Sequence, residues 1–279
     1  MTSLATRPSG AGPAARPGLA ARLAALDPWQ KALIVLGEVL VVLAAWQLLV
    51  GSWRVVNPIF LPPPLSILEG LDELLASGQL GEHVVTSIRS WLTGFGLATL
   101  IGVPLGLLMG TSLAVDRVVG PLAWTIYATP MLAYQPLALA WFGFGTGPVV
   151  FLVVMGALFP ILLNVSAGMR TTSPSLVNAA RVYGGGRLQL YRKVFLPSTV
   201  SFLIAGMRQG AVMATIALVV AELAGTSTGM GALIVRTANS YQTDQSFAAI
   251  AMVVIWSVGM TQLIGGAGRW LAPWTKGAR

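Results

Sequence analysis

Few side chains in this sequence could do chemistry, and where they stand narrows the choice. There is no Cys, one His (His83) and three Lys (Lys31, Lys193 and Lys276). Without Cys there is no disulfide framework, thiolate metal site or Cys nucleophile. A lone His rules out an HExxH zinc site. None of the lysines closes a GxxxxGKS/T phosphate loop, so any ATP must bind to another chain. We read no catalytic residue, metal ligand or cofactor site, and no enzyme activity is expected. What remains are Glu38, Arg89, Arg208 and Glu222 inside apolar stretches, and a basic run at 170–197. That run holds Arg170, Arg181, Arg187, Arg192 and Lys193 with no acid.

The elements that position these residues must be membrane helices. Of 279 residues, 55% are hydrophobic and 9% are charged, against roughly 25% charged in soluble domains. Stretches long enough to cross about 30 Å of hydrocarbon run from Ala32 to Val50 and over 84–110, 118–142, 148–169, 198–222 and 247–268. The expected fold is all-α and polytopic, with six transmembrane helices. Residues 1–28, rich in Ala, Gly, Pro and Arg, read as a disordered cytoplasmic tail. The membrane domain covers 29–272, and 273–279 form a second tail. The first apolar run exceeds a signal-peptide core of roughly 7–15 residues and reads as an uncleaved span. The segment Pro62–Ser77 reads as a short amphipathic helix with Leu65, Leu68, Leu71 and Leu75 on one face. It lies either along the membrane surface or against the bundle.

Lys and Arg concentrate in the N-terminal tail, in 170–197 and at the C-terminus, whereas 51–83 is net acidic. The positive-inside rule then places both termini and the 170–197 loop on the cytoplasmic side of the membrane. The net charge of +8 needs no nucleic acid.

Within the spans, Gly94, Ala98, Gly102, Gly106 and Gly110 recur every four residues. Small residues at that spacing admit another helix backbone, either inside the chain or at a subunit contact or gate. Pro121, Pro130 and Pro136 break the third span, which lipid tolerates only where the freed backbone is satisfied. Around the breaks, Tyr127, Met131, Tyr134 and Gln135 could line a wet pathway or simply pack, with Trp124 and Trp141 as interfacial anchors. Arg208 and Glu222 are fourteen residues apart, roughly 21 Å along one helical face with Thr215 between them. Intramembrane charges are functional candidates; these two either touch substrate or hold an ion pair. Residues 225–240 read as a re-entrant scoop, an outer gate or a plain loop.

The basic loop carries the most information. Leu176 to Lys193 reads as a helix, a turn at Gly184-Gly185-Gly186, and a second helical stretch ending at Val194-Phe195-Leu196-Pro197. A compact basic helical pair projecting from a bilayer suits docking, or a helix lying on the membrane.

Here the chain resembles the permeases of bacterial ATP-binding-cassette (ABC) importers. Their loop pattern is Glu-Ala-Ala, three residues, Gly, nine residues, then an aliphatic residue, any residue and Leu-Pro. This chain has Asn178-Ala179-Ala180, Gly184 and Val194-Phe195-Leu196-Pro197 at that spacing, with Asn178 in place of the usual Glu. Pro58 to Pro64, Trp141 to Gly145, Phe159-Pro160-Ile161 and Ala221 to Gly225 look like the nitrate/sulfonate/taurine branch. The resemblance spans about residues 58–270 and implies a type I importer fold. It also implies a homodimer, two cytoplasmic ATP-binding subunits and an external substrate-binding protein. Asn178, Ala179, Ala180, Gly184, Arg187, Leu196 and Pro197 would form the coupling loop. The expected function is passage of a small anion or organic acid. The alternative is an ion-gradient-driven secondary transporter, which predicts midplane carboxylates; Glu38 is the one mid-span acid.

Overall fold

Proline and glycine set most helix boundaries in the structure, a computed structural model that describes residues 27–271. Both expected tails, 1–28 but for its last two residues and 273–279, lie outside the described residues. The chain forms two compact units, divided between Asn57 and Pro58. In the first, α1 (Pro28–Trp46) starts at a capping box in which the Asp27 amide donates to Gln30 Oε1 at 3.0 Å. Pro in the first turn has no amide hydrogen to leave unpaired. A π-helical turn, Gln47–Ser52, extends it.

The second unit holds α2 (Pro64–Ala76), α3 (Gln79–Thr111), α4 (Leu113–Ala128), α5 (Gln135–Phe142) and α6 (Thr146–Arg170). It continues with α7 (Pro174–Val182), α8 (Arg187–Leu190), α9 (Leu196–Gly225), α10 (Met230–Asn239) and α11 (Thr243–Leu271). Among the described residues, five helices are long and apolar enough to cross a membrane: Trp29–Ser52, Gln79–Thr111, Thr146–Arg170, Leu188–Gly225 and Thr243–Trp270. The expected third span is not one helix. It is α4 and α5 joined through an extended Thr129 and a 3-10 turn, Met131–Tyr134. The residue before a proline is driven out of the helical region, so Pro130 ends α4 at Thr129. Pro121, by contrast, lies inside α4 without ending it.

The long helices pack through small residues on both sides of α6. A Cβ on Gly94 would lie 2.5 Å from Val153 Cγ1, and one on Gly106 would lie 2.7 Å from the Leu162 carbonyl oxygen. Across α6, a Cβ on Gly156 would lie 2.9 Å from the Met213 carbonyl oxygen of α9. In lipid no hydrophobic drive pulls helices together, so backbone approach of this kind supplies the dispersion contact. The glycine repeat of α3 is thus consumed inside the chain, not at a subunit contact. Its seam with α6 and α9 buries Trp91, Leu152, Val153, Ile161, Val165 and Leu218.

The amphipathic segment packs on the bundle, but not by the face its leucines suggest. Leu65, Leu68 and Leu75 are exposed and only Leu71 of the four packs inward, whereas Gly70 and Leu74 are buried. Leu74 joins Leu80, Met230, Leu233, Ala248 and Ala249 in a second apolar cluster. Gly70 decides the face, since a Cβ there would come within 2.7 Å of the Asp244 backbone at the start of α11.

Candidate functional site

At the loop end of the bundle, Arg170 pairs with Asp116. The chain then leaves α6 and Pro174 starts α7, which carries Asn178, Ala179 and Ala180. The helix stops in a left-handed turn: Gly184 has φ +75°, its amide donates to Arg181 O at 3.0 Å, and the Gly185 amide donates to Ala180 O at 2.8 Å. A glycine takes that conformation without the Cβ penalty. Asn178 and Ala179 are exposed, and so are Val182 (84%) and Tyr183 (90%) just before the turn. Arg187 opens α8.

The second helical stretch does not end at Leu196-Pro197 as expected. It widens into a π-helical turn, Tyr191–Phe195, and runs on into α9 with Pro197 in the first turn. The wider turn accommodates a residue that cannot donate to the helix ladder. Tyr191 donates to Thr111 Oγ1 at 2.6 Å, which ties this stretch to the end of α3.

At the opposite end, Glu222 is 1% exposed and holds no ion pair with Arg208. Its Oε1 accepts from Ser87 of α3 at 2.6 Å and its Oε2 accepts from the Gly231 amide at 2.8 Å. Ser87 Oγ in turn accepts from the Met230 amide at 2.8 Å. One helical turn before Ser87, His83 Nδ1 lies 2.9 Å from the Gly229 carbonyl oxygen and 3.1 Å from its amide nitrogen. A carboxylate, a hydroxyl and an imidazole therefore close over the first amides of α10, where the helix dipole favours negative charge. Gly229, at φ +117°, leaves no room for a side chain, since a Cβ would lie 2.5 Å from the Glu222 carboxyl carbon. So most of 225–240 is neither a plain loop nor open chain but a pinned helix, Met230–Asn239, with Leu233 and Thr237 buried. Sequence reasoning does not assign His83 and Ser87 to this cluster. Their i, i+4 spacing and the single His of the chain are the signals that could have found them.

The other candidates divide. Thr215 is buried, donating to Ala211 O at 3.0 Å and accepting from Trp91 Nε1 at 3.1 Å. Met131 and Tyr134 are half-buried, with Tyr134 donating to Ile126 O at 3.3 Å. Gln135 is buried at the break, and its amide nitrogen finds no acceptor among the described residues. Arg208 is exposed beside Gly265 of α11. Tyr127 accepts from Gln209 Nε2 at 3.2 Å, a partner the sequence does not suggest.

This architecture has known counterparts. Residues 102–277 match the profile of the binding-protein-dependent transport system inner membrane component. A Bacillus subtilis protein assigned as an aliphatic sulfonates transport permease, SsuC, is 34% identical over 227 residues, covering 81% of both chains. The Escherichia coli taurine transport system permease protein TauC is 28% identical over 244 residues, covering 86% of this chain and 88% of its own. The Leptolyngbya laminosa nitrate import permease protein NrtB is 27% identical over 183 residues, covering 66% of each. Membership of this family decides against an ion-gradient-driven secondary transporter. The chain belongs to the binding-protein-dependent transport system inner membrane components, and is a multi-pass permease subunit of an ABC importer in the nitrate/sulfonate/taurine branch.

Proposed function

We propose that this permease passes a small anion, an organic sulfonate or an inorganic oxyanion, through a pathway made by two copies of the chain. An external binding protein delivers the anion. Two cytoplasmic ATP-binding subunits hydrolyse ATP, and both termini of the permease lie on their side. The relatives named for sulfonates, taurine and nitrate support the substrate class.

The observation that carries the coupling is the tip of α7. Val182 and Tyr183 are 84% and 90% exposed at the end of a helix whose last turn carries Arg181. Large apolar groups so exposed mark a contact surface, and the glycine turn holds them on a short rigid projection. Closure of the ATPase pair would press on α7. Tyr191 and Arg170 would transmit the movement to α3 and α4, a two-state element biased from a distant site. The pathway would draw on Tyr127, Met131, Tyr134, Gln135 and Arg208. Thr215 and Glu222, both buried, would support it from behind.

The test is reconstitution. The isolated chain should hydrolyse no ATP, and the complex with its ATP-binding subunit should do so. Val182→Asp with Tyr183→Asp should separate the two in pull-down while leaving the permease in the membrane. Normal capture of the ATPase by that variant would remove α7 as the docking element.

A further inference from the structure

Asn164 of α6, Gln209 of α9 and Tyr127 of α4 form a hydrogen-bonded chain whose direction is fixed. The Pro160 carbonyl can only accept, and Asn164 Nδ2 donates to it at 2.8 Å. The same amide nitrogen donates to Gln209 Oε1 at 3.0 Å. Gln209 therefore turns its NH2 towards Tyr127, whose hydroxyl oxygen accepts at 3.2 Å. Because that oxygen accepts from Gln209, the Tyr127 O–H proton points elsewhere, and among the described residues nothing takes the second N–H of Gln209. The groups left open at Gln209 and Tyr127 are both donors, whereas Asn164 is left with its Oδ1 acceptor.

These donors stand where lipid would not tolerate them. Gln209 is thirteen residues from the start of α9, roughly 20 Å along a helix that crosses about 30 Å of hydrocarbon. Yet Gln209 is exposed, on the same open stripe of α9 as Ala205, Arg208, Val212 and Ile216. Polar groups at that depth face a wet cavity or another polar surface. A cleft of about 530 Å³ opens from the loop end, between Asp116, Arg117, Pro121, Ser166 and Arg170, and reaches Trp124. The Trp124 ring meets Tyr127 edge-on, with centroids 6.2 Å apart. A cavity of that size admits a small organic anion, and its two guanidiniums outnumber its one carboxylate.

We propose that Tyr127 and Gln209 are the donor pair that receives an oxyanion at mid-membrane and passes it to the Arg117–Arg170 cleft. Asn164 is the positioning residue that keeps the pair donor-ended. Arg208, on the same stripe, adds positive field. A sulfonate or nitrate oxygen accepts two such donors without giving up its charge, whereas a solute with no acceptor oxygen finds no partner there. This rests on the anion-permease reading above.

The experiment uses proteoliposomes holding the permease with its ATP-binding subunits, fed by its binding protein with nitrate or sulfur-labelled taurine. Tyr127→Phe removes one oxygen and no packing, and Gln209→Leu removes the carboxamide, donor and acceptor together. Each should lower the anion imported per ATP hydrolysed by about threefold to tenfold, the scale of one ordinary hydrogen bond. The apparent KM should hardly move, because the binding protein sets capture. Asn164→Leu should do the same by letting the Gln209 amide flip. Wild-type import per ATP in Tyr127→Phe would overturn the proposal, and that variant decides if Gln209→Leu fails to assemble. A lowered dimer fraction in Gln209→Leu beside normal import in Tyr127→Phe would make Gln209 a subunit contact and overturn it equally. If the wild-type complex imports neither anion, the anion-permease reading itself falls, and this inference with it.

Discussion

Ser87 donates to Glu222 at 2.6 Å across 135 residues of sequence, and that bond fixes how α10 lies on the bundle. The hydroxyl spends its proton on the carboxylate and its lone pair on the Met230 amide. The second carboxylate oxygen takes the Gly231 amide. Three segments, α3, α9 and the start of α10, thus share one buried polar cluster whose members satisfy one another. Such clusters are costly when broken, because each abandoned donor stays buried.

Glu222→Ala should therefore destabilise this end of the protein by about 1–3 kcal/mol for each donor left unpaired. Glu222→Gln should do less damage, since its carbonyl oxygen still accepts one of the two. Thermal unfolding of the purified complex and proteolysis within 226–240 are the measurements. A Glu222→Ala protein that melts at the wild-type temperature with that segment protected would show that the cluster does not hold α10.

Gly106 and Gly96 make a matched pair on α3. A Cβ on Gly106 would sit 2.7 Å from a carbonyl oxygen and 2.9 Å from Val165, whereas one on Gly96 meets none of the described residues within 4 Å. Gly106→Leu should cost about 1–3 kcal/mol or more through overpacking and lower the yield of monodisperse protein. Gly96→Leu should leave the yield near wild type. Equal yields would mean that α3 and α6 do not pack through this seam.

The contrast between those glycines shows where sequence reading stops. A four-residue repeat of small residues announces a helix contact, because only that spacing puts them on one face. It does not say which helix fills it, as the partner is 50 to 60 residues away in the chain. The broken third span, the left-handed Gly184 and the loop spacing were all legible, since proline and glycine act on their own backbone. The direction of α2 was not. Its leucines mark an apolar face, but with lipid on one side and protein on the other, hydrophobicity does not choose between them, and Gly70 does. Glu222 was visible as a buried charge, while its partners depend on His83, Ser87 and Gly229 converging from distant segments. Gln209 stayed hidden because a Gln in a long helix carries no local signal.

The distribution of Lys and Arg predicts the sidedness of each connection. Reporter fusions at residues 75, 145 and 235 should be active outside, and fusions at 113, 185 and 275 inside. The structure adds that 113 and 185 lie near the same end, through the Arg170–Asp116 and Tyr191–Thr111 contacts. These two fusions must therefore agree with each other whatever the orientation. A reporter at 185 that is active outside would reverse the orientation and remove any contact between α7 and a cytoplasmic ATPase.

The turn after α7 gives the sharpest contrast. Gly184 has φ +75° and none of the described residues lies within 4 Å of where a Cβ would stand, so Gly184→Ala carries only backbone strain, about 1 kcal/mol. Gly185 differs, because a Cβ there would lie 2.6 Å from Ala180 O, the oxygen its own amide donates to. Gly185→Ala should therefore open the helix end and reduce ATP-driven uptake more than Gly184→Ala does. Gly184→Glu places an unpaired charge on the surface proposed to seat in the ATPase. An uncompensated buried charge at an interface costs about 3–5 kcal/mol. The side chain points into open space, so insertion into the membrane and permease assembly should be near normal. Uptake should be lost while uncoupled ATP hydrolysis by the partner persists. Wild-type uptake in Gly184→Glu, with the protein present at normal amounts, would show that the turn does not meet the ATPase.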